Sequence, residues 1–182
     1  THEKIFVTDL SEHADKIKIK LYDENTVKNV YSDCFPNGFS IIIIPATSKT
    51  HLEFALNAPK YTQFAQSPLI GWISGVNLKD LGKISPKIID GTTKSMSDNG
   101  AIVMHISLPS TKSADLSMVN IFSQGTGDEI EFPTDGFSVS TAIINGTSQN
   151  FWEYIQTKKI DIRFPLVANY EGAMINVSFQ KL

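Results

Sequence analysis

Five Asn-Gly or Asp-Gly dipeptides punctuate this chain: Asn37-Gly38, Asp90-Gly91, Asn99-Gly100, Asp135-Gly136 and Asn145-Gly146. Glycine after Asn or Asp supplies the positive φ of tight turns, so each marks a point where an extended run reverses. Between them lie short segments with period-two alternation or β-branched enrichment, at residues 4–8, 16–22, 39–44, 52–57, 69–76, 101–108, 118–122, 137–144, 159–164 and 173–180. Many short strands separated by regular turn signals predict an all-β chain folded as an antiparallel β-sandwich. The clearest strand is Lys16-Ile17-Lys18-Ile19-Lys20-Leu21, whose alternation predicts Ile17, Ile19 and Leu21 inward and the lysines in water.

One short helix is expected near residues 150–156. Asn150 can cap the amide three residues on, Glu153 stands at the capping-box position, and Trp152 and Ile155 fall on one face. The Ser/Thr/Lys-rich stretch 91–99 is the best loop and the natural place for a domain boundary. Without such a division, residues 13–182 read as a single β-sandwich domain behind an N-terminal extension at 1–12. The chain closes with a turn, Asn169-Tyr170-Glu171-Gly172, and an alternating strand. Ala173, Ile175, Val177 and Phe179 share one face of it, and Met174, Asn176, Ser178 and Gln180 the other.

Composition narrows the function. The net charge is −3, and Arg163 is the only arginine among 16 cations, which argues against a nucleic-acid surface. No apolar run approaches the ~18–20 residues of a membrane span. Cys34 is the only cysteine, so no intrachain disulfide can form. Thr1 in place of Met predicts processing and favours export.

Chemistry-bearing motifs are sparse. His2, His13, His51 and His105 lack metal-ligand spacing, and a structural role suits each. Gly71-Trp72-Ile73-Ser74-Gly75 misses the G-x-S-x-G nucleophile elbow, because Trp72 stands where the sharp turn needs a small residue. A strand ending in a turn is the better reading. Gly125-Thr126-Gly127-Asp128-Glu129 is too acidic to cradle phosphate. As a calcium loop it offers only Asp128, Glu129, Glu131 and Asp135, so a solvated loop is expected. Trp72 and Trp152 could line a glycan or peptide groove, but one packed Trp per sheet is the ordinary use, so core positions are expected. These readings predict no catalytic, metal or cofactor site and no enzymatic activity.

The C-terminal residues Ala168-Asn169-Tyr170-Glu171-Gly172 and Ile175-Asn176-Val177-Ser178-Phe179 resemble the final strand of chaperone–usher fimbrial subunits. The start, Glu3-Lys4-Ile5-Phe6-Val7-Thr8, is similar to the N-terminal extension of such pilins. The segment from Lys158 to Arg163 resembles the strand before the closing one. The resemblance implies an immunoglobulin-like sandwich lacking one strand, completed by the N-terminal segment of a neighbouring subunit of the same or related type. A periplasmic chaperone would fill the groove before assembly. It implies a non-enzymatic structural or adhesion subunit, secreted through the periplasm to the cell surface, with a host glycan or protein as receptor. The implied partner-binding residues are Ile5 and Val7 on the donor and Ile175, Val177 and Phe179 on the closing strand. The physics is β-augmentation, in which backbone bonds supply affinity and alternate side chains enter pockets. Asp9 and Ser11 interrupt the apolar series that a donor strand needs. The alternative is a stand-alone periplasmic or viral β-sandwich that binds a glycan or protein through its loops.

Overall fold

The computed structural model describes residues 9–64, 66–80, 82–117, 119–170 and 172–179. The chain forms two compact units, Thr1–Leu116 and Ser117–Leu182. Among the described residues strands predominate, in four small sheets, with two α-helices. The expected strand at 4–8 lies outside the described residues.

In chain order the first unit contains β1 (Ile17–Tyr22), β2 (Gly38–Pro45), α1 (Lys49–Asn57), β3 (Leu69–Ser74), β4 (Ile88–Asp90), β5 (Ser95–Ser97) and β6 (Ala101–Ser107). Four of these strands make one sheet in the order β1-β6-β2-β3, and β4 with β5 forms a separate ribbon. β6 runs antiparallel to both neighbours, but β2 and β3 are parallel. The antiparallel sandwich expected from the sequence therefore does not describe this sheet. Parallel strands need a crossover between them, and α1 supplies it.

That helix stands where alternation predicts a strand. Leu52, Phe54 and Leu56 alternate as in a strand, yet residues 52–57 are helical. Ser48 caps the helix by accepting the His51 amide at 3.0 Å, and the Asn99 side-chain oxygen accepts the Lys49 amide at 2.9 Å. Thr50, His51 and the half-buried Phe54 face inward, and Leu52 and Leu56 stay exposed. Phe54 joins a core of Tyr22, Val27, Val30, Tyr31, Ile42, Ile44, Ala58, Tyr61, Ala101 and Val103 on one side of the sheet.

The register of β1 is the reverse of the one expected. Tyr22 is buried, whereas Ile19 and Leu21 are 53% and 45% exposed. The lysines share Tyr22's side because they pair with the half-buried carboxylate of Asp33.

The second unit contains β7 (Ile130–Glu131), β8 (Thr141–Ile144), β9 (Thr147–Asn150), α2 (Phe151–Lys158), β10 (Leu166–Tyr170) and β11 (Ala173–Val177). The β8–β9 hairpin turns on Asn145 and Gly146, with φ of 48° and 80°, the two positive values of a type I′ turn. The expected helix is present. Asn150 accepts the Glu153 amide at 3.0 Å, and Lys159 ends the helix in the left-handed region while Ile160 donates back to Ile155. Its inward face is Phe151, Tyr154 and Ile155, not Trp152, which is 48% exposed. These residues pack with Ala142 and Ile144, joined by Ile130, Ile160, Leu166 and Phe179.

Other expectations are corrected here. Residues 159–164 form turns rather than a strand; the strand before the last is β10, which pairs with β11 from Leu166 opposite Val177 to Tyr170 opposite Ala173. Gly172 has φ of 90° and donates its amide to the Asn169 side chain at 2.9 Å. Of 137–144 only β8 is extended, and 119–122 carries no strand. Residues 91–94 turn from β4 into β5, which takes up Ser95–Ser97 of the 91–99 stretch, and the stretch does not separate the units.

Because Ile155 is 1% exposed and Trp152 is half in water, Ile155→Ala should cost about 2–5 kcal/mol through transfer and cavity terms. Trp152→Ala should cost less than half as much, and denaturant melts of the two variants measure the ranking.

Candidate functional site

Register divides the first unit's sheet into two unlike faces. On the helix-covered face, Tyr22 stands opposite Ala101, Ser40 opposite His105, and Ile42 opposite Val103. All six are buried, as is Ile44. On the other face β1 places Ile17, Ile19 and Leu21 opposite Ile106, Met104 and Ile102 of β6. β2 adds Phe39, Ile41 and Ile43 to the same rows, and β3 adds Ile70 and Trp72. These eleven side chains are all apolar, and not one is buried. Ile70 and Trp72 are 52% and 59% exposed, which corrects the expectation that Trp72 is core. Soluble monomers rarely expose a contiguous apolar patch beyond a few hundred Å².

The two edges of this sheet also differ. β1 carries Lys18 and Lys20, the kind of charge that discourages pairing with a further strand. β3, at the other edge, reads Leu69-Ile70-Gly71-Trp72-Ile73-Ser74 and has neither charge nor proline. The amides of Ser40 and Ala46 donate to the carbonyls of Pro68 (2.8 Å) and Ser74 (3.0 Å). Even-numbered residues of β3 thus bond toward β2. By alternation, the backbone N–H and C=O groups of Leu69, Gly71 and Ile73 point to the outer edge. No described strand occupies that edge. Gly71 is needed for the close approach, since a Cβ there would collide with the carbonyl oxygen of Ile42. Ser74 lies opposite Pro45 at the end of this strand, as the non-elbow reading expected.

Beneath the covered face runs a directed chain of polar groups. Lys20 Nζ lies 2.7 Å from Asp33 Oδ2, and Tyr22 donates its hydroxyl to the same oxygen at 2.9 Å. Burial raises the Asp33 carboxyl, but the bonds from Lys20 and Tyr22 and the nearby lysine charges outweigh it and leave its pKa below the ordinary value. The carboxylate accepts only, so Tyr22 spends its one proton there and must accept from His105 Nε2 at 2.9 Å. His105 Nδ1 then accepts from Ser40 at 2.8 Å. Cys34 Sγ completes the series, 3.4 Å from Ser40 Oγ and 3.3 Å from the Val30 carbonyl. Burial is the main reason that His105 titrates low, at about 4, with Lys18 adding to it. Ser40 and His105 expose no surface, so neither meets a substrate from solvent. The chain holds the segment carrying Asp33 and Cys34 to the sheet.

The second unit has an open cleft of about 840 Å³ whose lining includes Asp128, Tyr154, Ile160, Leu166, Val167 and Val177. Asp128 lies 3.0 Å from Lys158 Nζ and accepts from Asn145 at 2.8 Å and Tyr154 at 3.0 Å. Led by Lys158, these donors hold its carboxyl down at about 2. Three protein donors occupy the group that a calcium loop would use first. Among the described residues no three His, Cys, Asp or Glu side chains converge.

Ile5 and Val7 lie outside the described residues. Ile175 and Val177 stand on β11 opposite Ala168 and Leu166, 37% and 44% exposed. Phe179 is half-buried and stacks on Phe151 with centroids 6.3 Å apart, so it belongs to its own unit's core. Sequence reading missed both the uncovered face and the Tyr22–His105 pair. The available signal was His105 itself, which shares its alternation with Ala101 and Val103 in β6.

A family of unknown function, DUF6976, matches over residues 1–182. The chain belongs to that family. No curated protein and no solved structure matches it.

His105 generates a pH prediction. Its folded pKa lies below the unfolded value of 6.5, so the unfolded chain takes up a proton that the folded chain refuses. Stability present above pH 6.5 should fall between 6.5 and about 4, by roughly 3 kcal/mol at most. Denaturant melts across this range should show a shallower slope for His105→Asn, which starts less stable at pH 7 because it breaks the chain.

Proposed function

We propose that this chain is a non-enzymatic assembly subunit that completes its first-unit sheet with a strand donated by a neighbouring copy. The observation that carries the reading is the contrast between the lysine-bearing edge β1 and the uncharged edge β3. An open apolar edge invites pairing, and a fold that leaves one edge unprotected while charging the other reserves it for a partner. The donor is the N-terminal segment, where Ile5 and Val7 fall on one side and Lys4, Phe6 and Thr8 on the other. Laid along β3, its backbone bonds to Leu69, Gly71 and Ile73, as in β-augmentation.

Fimbrial subunits assemble in this mode, and the reading carries with it export through the periplasm, a chaperone that covers the edge before assembly, and display at the cell surface. The mode is proposed without the immunoglobulin topology, since α1 covers the sheet where a second antiparallel sheet would pack. Because the donor end and acceptor edge are different surfaces, the contact is head-to-tail and grows open-ended chains. A second reading, a stand-alone module that binds a glycan or protein, draws on the cleft of the second unit.

Two substitutions test the donated strand in the full-length chain. Ile5→Asp with Val7→Asp places unpaired charge in an apolar groove. Ile73→Pro removes an outward N–H at a position where an edge strand tolerates proline. Each should abolish open-ended assembly in light-scattering chromatography and leave the far-UV circular dichroism unchanged. Chain growth that survives both sinks the reading. A saturable glycan signal lost on Tyr154→Ala would favour the second.

A further inference from the structure

We propose that the uncovered apolar face of the β1-β6-β2-β3 sheet docks on the same face of a second copy of this chain. The inference deepens the assembly reading above but rests on a different surface. Eleven positions of the face carry apolar side chains and none a charge; Ser74, beside the buried Pro45, is the polar end of the β2–β3 rows. A partner chosen by charge complementarity would need a counter-charge to read, and there is none. A surface of the same character is always at hand on another copy, and a twofold pairing of identical patches closes without leaving a free end.

Three features fit that occupant. Lys18 and Lys20 project from the opposite face, where Asp33 holds them, so a twofold brings no like charges together. Two twisted sheets pack face to face at about −30° with side chains interdigitating, and β1 to β3 supply such a sheet. Ile19, Leu21, Ile70 and Trp72 are 45% to 59% exposed and the other seven side chains partly exposed, so the face offers apolar surface of the kind from which a stable interface takes about 800 Å² per partner. The β-sandwich that the alternating sequence predicts is then built between two chains rather than within one.

The closing experiment uses the Ile5→Asp/Val7→Asp chain, in which strand donation is blocked. Light-scattering chromatography should give a dimer of about 40 kDa, twice the 20.1 kDa chain. Adding Ile19→Lys and Leu21→Lys, far from the β3 edge, should shift the mass to about 20 kDa without changing the circular dichroism. As a measurement that spares the face, Trp72 emission in a Trp152→Phe background should move to the red when the dimer is diluted into monomer. A parent that is monomeric at all concentrations overturns the inference, as does a well-folded lysine variant that stays at 40 kDa. Open-ended chains persisting in the Ile5→Asp/Val7→Asp protein would instead remove strand donation and leave face pairing to stand on the lysine pair. In a chain with donation intact, the lysine pair should leave open-ended growth in place and remove only the paired faces.

Discussion

A parallel strand pair cannot be joined by a tight turn, and that requirement organises the first unit. β2 ends at Pro45, the chain crosses through α1, and β3 returns beside β2 in the same direction. A crossover helix covers the face on which it lies. With α1 and the Val27 and Val30 turn on one side, Ile42, Ile44 and Val103 become core. Phe39, Ile41 and Ile43, their immediate neighbours in sequence, are left on a face that remains partly in water. The same alternation that builds the core builds the side left partly in water, and the assembly proposed above rests on that side.

The covered face is less apolar than its strands suggest, and Asp33 explains why that is tolerable. A buried polar group is costly unless it is bonded, and a network is stable only when every member is satisfied. One carboxylate, fixed by Lys20, dictates the direction of each later bond through Tyr22, His105 and Ser40 to Cys34. The same carboxylate draws Lys18 and Lys20 to its side of β1, which turns Ile19 and Leu21 toward the open face. The buried network and the uncovered surface are thus two results of one charge placement.

In the second unit the ends of the elements are set locally. Asn150 caps α2, Asn145 and Gly146 turn the β8–β9 hairpin, and Asn169 braces the turn into β11. The side-chain amides of Asn120 and Gln124 reach the carbonyls of Met174 and Val167, which fastens an irregular segment to the β10–β11 hairpin. A hairpin alone is marginal in water, and such bonds, with Phe179 packed on Phe151, tie this one to its unit.

The sequence by itself determined the strands at β1, β2, β3, β6 and β11, the turn at Asn145-Gly146 and the cap at Asn150, because turn chemistry, capping and period-two alternation act between near neighbours. It could not decide between helix and strand at Leu52-Glu53-Phe54-Ala55-Leu56, where spacing fits both and only packing on the sheet selects the helix. Nor could it assign the faces of β2, since Ile41, Ile42, Ile43 and Ile44 are alike and alternation is blind to which side is covered. In β1 the apolar alternation pointed the wrong way, because the preference of isoleucine for a core was outweighed by a carboxylate thirteen residues from Lys20 in the chain. Which face is buried, which edge is open and which histidine is enclosed depend on contacts between distant segments, and those the tertiary structure alone decided.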